Sequence, residues 1–171
     1  ALRYAEAVGA RRVTVRAGTL PAGARREDCL PVLADNLAWA AETFGKAGII
    51  CMTEALNSRE RPTALLHYTQ DALAAVRRAG HPNLKIEADI YHMAIMEEDI
   101  PAILRDERAD IAHVQFADVP GRHEPGTGKV DFPGIFATLE AISYDGWISA
   151  EYVPSGRTED SLDWYAPYRA A

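Results

Sequence analysis

Apolar and polar positions along the chain follow two alternating periods. Leu2, Ala5 and Val8 recur at helical spacing and predict a short helix over 1–9. Residues 12–16 (RVTVR) alternate and are rich in β-branched side chains, which predicts a strand ended by Ala17-Gly18. Leu30, Leu33, Leu37, Ala40, Ala41 and Phe44 share one face of a helix predicted over 26–47, with Gly45 and Gly48 marking its end. Residues 48–56 (GIICMTEAL) are nearly all apolar, as in a strand covered on both faces. The alternation continues with a helix over 69–79, a strand over 84–90 and a helix over 97–105. A strand over 111–117, a helix over 132–142, a strand over 146–153 and a closing helix over 161–168 complete it.

Strand followed by helix, five times, means a parallel sheet with helices packed on it. The open doubly wound sheet announces itself with a glycine-rich phosphate turn, and neither G-x-G-x-x-G nor G-x-x-x-x-G-K-[ST] occurs. The expected fold is therefore α/β, a (β/α)8 TIM barrel. A complete barrel takes about 250 residues, and this chain has 171 and five predicted strands. Residues 1–171 are expected to be the C-terminal part of one barrel domain, truncated at the N-terminus. The start at Ala-Leu-Arg-Tyr, without Met and inside a helical pattern, agrees with a piece of a longer chain.

Composition narrows the classes. Hydrophobic residues make up 48% of the chain, which excludes wholesale disorder. No apolar run approaches the roughly 18 residues of a membrane helix, so no membrane partner is expected. Eighteen basic against 25 acidic residues give a net charge of −7, which argues against nucleic acid as a partner. Cys29 and Cys51 have neither metal-ligand spacing nor a disulfide framework, so a reducing, cytoplasmic compartment is expected.

The acids stand at informative places. Glu54, Asp89, Gln115 and Glu151 each fall near the C-terminal end of a predicted strand, on four strands in succession. Active sites of parallel barrels form at those ends. One acid in a strand is ordinarily solvent-facing; four oxygen-bearing side chains at one height are what single these out. Carboxylates brought together repel unless a cation neutralises them, and an oxygen-rich set suits Mg²⁺ or Mn²⁺. His92 follows Asp89 by three residues, at the expected mouth, placed to meet a substrate oxygen. His113 lies deeper, where a structural hydrogen bond is expected. Lys85, Glu87 and Asp89 share parity, and Lys85 is expected to pair with Glu87. The 118–128 loop (DVPGRHEPGTG) displays Arg122, His123 and Glu124, and an arginine over a pocket matches a planar carboxylate. Cys51, inside a strand, is expected in the core.

These segments resemble the hydroxypyruvate isomerase family, within the xylose-isomerase-like barrel superfamily of sugar isomerases and epimerases. The matching stretches are EALNSR from Glu54, DIYHM from Asp89, HVQ from His113, GRHEPGTG from Gly121, Gly146-Trp147 and Glu151-Tyr152. The glycine-rich loop is the most specific of them, and the likeness runs nearly end to end. It implies that Glu54 and Glu151 are the acid/base pair and that Glu54, Asp89, Gln115 and Glu151 surround a divalent metal. It also implies that His92, Arg122 and His123 bind substrate. The chain departs from the family at Ala55, for proline, and at Ala88, for an aromatic residue. Gln115 stands where related epimerases have histidine.

The implied activity is an aldose–ketose type isomerisation of a small hydroxy-oxo acid, hydroxypyruvate to tartronate semialdehyde, through an enediolate. A homo-oligomer is expected of this superfamily. A sugar-acid epimerase and a non-catalytic sugar-acid binding fragment are the alternatives. A metal-dependent endonuclease would need a histidine-rich zinc cluster and a basic surface, against five scattered histidines and a charge of −7.

Overall fold

A computed structural model describes residues 1–168. Its strands are β1 (Arg12–Thr14), β2 (Ile50–Thr53), β3 (Leu84–Asp89), β4 (Ile111–Phe116) and β5 (Trp147–Ala150). The helices are α1 (Leu2–Val8), α2 (Arg26–Gly45), α3 (Thr69–Ala79), α4 (Ile90–Ile95), α5 (Ile100–Asp106) and α6 (Phe132–Ala141), with a 3-10 helix at Asp160–Tyr168. The strands form one sheet in chain order. β1 pairs with β2 and β2 with β3 in parallel, with Val13 opposite Cys51 and Cys51 opposite Leu84. Five consecutive strand–helix units of a (β/α)8 barrel account for this order, as expected.

The chain divides into two compact units, the first holding residues 1–88 and 109–113, the second 89–108 and 114–168. In the first, α2 and α3 pack together. Leu33, Leu37, Ala41 and Phe44 bury one face of α2, with Leu73 and Val76 of α3 and Cys51 and Ile86 of the strands also in the core. Full burial of a leucine side chain contributes roughly 1.5–3 kcal/mol. Pro31 lies inside α2 and removes the N–H that would reach the Glu27 carbonyl, a group at the exposed start of the helix. The second unit is built on an aromatic cluster. The Phe116 ring meets Phe132 at 5.4 Å, Phe136 at 5.8 Å and Trp164 at 5.3 Å, all edge to face.

The elements depart from the sequence pattern in ways that have local causes. Val8 is 78% exposed, so only Ala5 of α1 is buried. β2 stops at Thr53 although the apolar run continues, because Leu56 donates its N–H to Leu66 of its own loop at 3.0 Å. β3 ends at Asp89, and the unpredicted helix α4 starts at the next residue. α5 begins at Ile100 because Asp99 caps it, accepting from Ala102 N at 3.1 Å, with Pro101 in the first turn where a missing N–H costs nothing. The closing segment is 3-10 rather than α-helical. Lys85 reaches the Ala109 carbonyl at 2.9 Å and Asp110 at 3.5 Å, while Glu87 accepts from the Thr14 hydroxyl; the expected Lys85–Glu87 pair gives way to these partners.

Asp71 ties α3 down. Its Oδ2 accepts from the N–H groups of His67 (3.0 Å) and Tyr68 (3.1 Å) and lies 2.8 Å from Arg26 Nη2. Partial burial pushes this carboxyl up, but the two N–H groups and the Arg26 guanidinium outweigh it and hold the group below the usual range. A depressed folded-state pKa contributes stability above the unfolded value of about 3.9, and that stability is lost as pH falls through the folded one. Asp71→Asn is expected to destabilise the chain by about 1 kcal/mol at neutral pH, with the gap to wild type closing under acid. Urea unfolding at neutral pH and at about pH 3 checks both parts.

Candidate functional site

In the first unit, Glu54 follows β2 directly. It is 7% exposed, and its Oε1 lies 3.5 Å from Arg16 Nη1. Cys51, three residues earlier, is fully buried, and burial pushes its thiol up to about 11, which makes it a core residue and no nucleophile.

In the second unit, Asp89 closes β3 and caps α4. Its Oδ1 accepts from Tyr91 N at 2.9 Å. Its Oδ2 is buried and accepts no hydrogen bond among the described residues. Two cations face that oxygen, His92 Nε2 at 3.7 Å when protonated and Arg122 Nη2 at 3.9 Å. Burial pushes the Asp89 carboxyl above the usual aspartate range. His92, Arg122 and the Tyr91 N–H pull the other way, and the Glu151 carboxylate adds to the rise.

Glu151 follows β5 and is half exposed. Its Oε2 accepts from Arg122 Nη2 and, at 2.9 Å, from Gln115 Nε2 on β4. Arg122 Nε also donates to the Glu151 carbonyl at 3.3 Å, and its guanidinium lies 4.8 Å from the centre of the Tyr91 ring. Ser149 donates to Gln115 Oε1 at 3.3 Å, which fixes the amide with its nitrogen towards Glu151. Asp89, His92, Gln115, Arg122 and Glu151 are thus brought together within the second unit. His123 is turned to the backbone, with Nδ1 2.7 Å from the Val153 carbonyl.

The loop that carries Arg122 rests on a residue to which the sequence assigned no role. Asp118 is fully buried. Its Oδ1 accepts from Val119 N (2.7 Å) and Val130 N (3.1 Å), and its Oδ2 from Gly126 N (2.9 Å) and Gly128 N (2.8 Å). One carboxylate thereby gathers both ends of the glycine-rich segment. Gly128 approaches so closely that a Cβ there would lie 2.2 Å from the Val119 carbonyl oxygen. Arg122 itself has φ +58°, a left-handed conformation that costs a non-glycine residue about 1 kcal/mol. The loop is also bonded to the segment after β5, through Val153 N to the Arg122 carbonyl at 2.7 Å. Glu124 takes the hydroxyl and N–H of Ser155, which hold its carboxyl below the usual range. A buried acceptor at a strand end followed by glycines was the available signal for Asp118. Arg16 and Tyr91 carried no such signal, since arginine after a strand and tyrosine before a histidine are ordinary.

Residues 1–168 match the family described as xylose isomerase-like TIM barrel. The chain belongs to that family. Among relatives of this xylose isomerase-like chain, a 2-oxo-tetronate isomerase of Cupriavidus necator is 39% identical over 98% of this chain and 65% of its own length. A hydroxypyruvate isomerase of Escherichia coli is 38% identical over 99% of this chain and 66% of its own. A solved structure described as an AP endonuclease of family 2 from Brucella melitensis superposes with a TM-score of 0.91 at 34% identity, over 99% of this chain and 65% of that one. The chain therefore spans just under two thirds of these proteins. Among the described residues, no helix is long and apolar enough to cross a membrane.

The donors suit a metal ion. Asp89 Oδ2 is a desolvated acceptor without a hydrogen bond among the described residues, with an imidazole nitrogen 3.7 Å away, and the neighbouring acceptors are oxygen atoms.

Asp118→Asn would turn an amide N–H2 towards two backbone donors in a dry site. It is expected to destabilise the chain by about 1–3 kcal/mol and to open the glycine-rich loop to protease cleavage. Thermal unfolding and limited proteolysis read the two effects, and unchanged proteolysis would show that the loop has another anchor.

Proposed function

We propose that the chain serves an isomerase of small hydroxy-oxo acids that interconverts hydroxypyruvate and tartronate semialdehyde, or a closely related 2-oxo acid. The observation that supports this most is the group of Asp89, Gln115 and Glu151, held with Arg122 and His92 at the C-terminal ends of successive strands. The relatives named as isomerases of 2-oxo-tetronate and hydroxypyruvate add to that support.

In net terms the reaction moves one hydrogen from C3 to C2 and one proton from O3 to O2. In this reading one carboxylate of the pair Glu54 and Glu151 takes the proton from C3 of hydroxypyruvate. The electron pair of that bond forms the enediolate. The hydroxyl proton passes from O3 to O2, and the other carboxylic acid returns a proton to C2. No oxidant, reductant or water is consumed. Each acid/base group contributes roughly 10²–10⁴ in rate. Arg122 and Gln115, both bonded to Glu151 Oε2, hold its carboxylate in one orientation. His92 and His123 are assigned to substrate oxygens, His123 through the nitrogen not turned to Val153. Glu54, Asp89, Gln115 and Glu151 would hold a bound Mg²⁺ or Mn²⁺, whose charge would stabilise the enediolate oxygens by several kcal/mol.

An endonuclease is the second reading, because of the name attached to the Brucella structure. A net charge of −7 and only five histidines speak against it. A nicking assay on abasic DNA is expected to show no cleavage.

Exchange of the substrate's carbon-bound hydrogen with deuterated water, followed by NMR, tests the isomerase reading. Glu54→Gln and Glu151→Gln are each expected to slow exchange by about 10²–10⁴-fold. Exchange persisting at the wild-type rate in both would remove the pair from the reaction. Inversion at carbon without carbonyl migration would make the chain an epimerase, and binding without exchange a non-catalytic module.

A further inference from the structure

A cavity of about 350 Å³ opens in the first unit, lined by Arg16, Thr19, Glu54, Arg61, Thr63 and Leu66 among others. That is the size of a small-molecule site. It is a built feature. The segment after β1 and the loop after β2 are joined by backbone hydrogen bonds, Leu20 N to the Thr63 carbonyl at 2.7 Å and Leu65 N to the Gly18 carbonyl at 3.2 Å. An antiparallel bridge between Thr19 and Ala64 lies between them. Gly18 makes the turn that permits it, at φ +83°.

The charges lining this cavity are unevenly satisfied. The Glu60 carboxylate accepts from Asn57 Nδ2 at 3.1 Å, and Asn57 is fully buried. Glu54 has Arg16 at 3.5 Å. Arg16 is 63% exposed and offers one edge of its guanidinium to Glu54, so further donors of its five are left for a ligand. The Arg61 guanidinium has no ion-pair partner among the described residues. Arg122, the arginine expected to meet the substrate carboxylate, is engaged by Glu151 and lies over Tyr91.

We infer that Arg16 and Arg61 form the subsite for the carboxylate of the substrate, beside Glu54. The inference rests on the isomerase reading for the identity of the ligand. In hydroxypyruvate the carbon that loses its proton is two bonds from the carboxylate carbon. A carboxylate held by Arg16 therefore keeps the reacting carbon within the neighbourhood of Glu54. Arg16 then has two roles, neutralising Glu54 and fixing the acid end of the ligand, and Arg61 has the second alone. Pro62, Ala64, Leu56 and Leu66 supply apolar walls for the carbon chain of the ligand. The same chemistry selects hydroxy-oxo acids over neutral sugars of equal length, because only the acid offers a carboxylate to the two guanidinium groups.

Titration calorimetry with hydroxypyruvate and with dihydroxyacetone tests the subsite. Dihydroxyacetone keeps the three-carbon skeleton and replaces the carboxylate with a hydroxymethyl group. Arg61→Gln and Arg16→Gln are each expected to weaken hydroxypyruvate binding about tenfold or more, and to leave dihydroxyacetone within about twofold. Both side chains are exposed, and unchanged melting temperatures confirm the fold. Four results overturn the assignment: no hydroxypyruvate binding by the wild type, unchanged affinity in both variants, equal losses for the two ligands, or a loss confined to Arg122→Gln. Arginine-dependent binding in a chain that shows no hydrogen exchange would sustain the subsite and end the isomerase reading.

Discussion

Carboxylates at the ends of neighbouring strands repel one another, and the site depends on how that repulsion is met. Asp89 is buried, and Glu151 raises its pKa further. Arg122 answers both, bonded to Glu151 and 3.9 Å from the buried Oδ2 of Asp89. Remove that guanidinium and Asp89 would keep His92 and the Tyr91 N–H to favour its charged form against burial. In the proposed reading the same geometry is the setting for a metal. A divalent cation at Asp89 would take over part of the task Arg122 performs, and Arg122 would then be freer to serve Glu151 alone.

Arg122 holds its place because the loop behind it is fixed by backbone bonds rather than by packing. Four N–H groups converge on Asp118, and the loop is further tied to the segment after β5 at Val153 and Ser155. These ties offset the cost of the left-handed conformation at Arg122. They also explain the composition of the segment. Gly121 approaches the His123 ring so closely that a Cβ would lie 2.6 Å from it, so a larger residue would displace the imidazole from the Val153 carbonyl.

Catalysis of proton transfer by two acids asks for opposite states in turn, one group charged and one protonated. Glu54 and Glu151, the pair of the proposed reaction, have distinct surroundings. Glu54 is 7% exposed with one arginine at 3.5 Å. Glu151 is half exposed and accepts from both Arg122 and Gln115.

The strand–helix alternation, the five-stranded barrel topology and the strand-end acids were legible in the residues because each follows from a local period or from chain order. β-branched alternation marked β1, the apolar run marked β2, and strand ends in a parallel sheet line up whatever the loops do. Helix α4 was hidden because six residues are too few to show a helical period; its only mark was Asp89 as a cap. Lys85 was assigned to Glu87 by parity alone, and parity says which side a residue takes but not which neighbour is nearer. What depended on contacts far along the chain was decided by tertiary structure: Arg122 on Glu151, His123 on a carbonyl thirty positions away, Arg16 beside Glu54, four amides on Asp118. Periodicity specifies faces and heights, whereas the partner of a charge is settled by distances that exist only once the strands have been laid side by side.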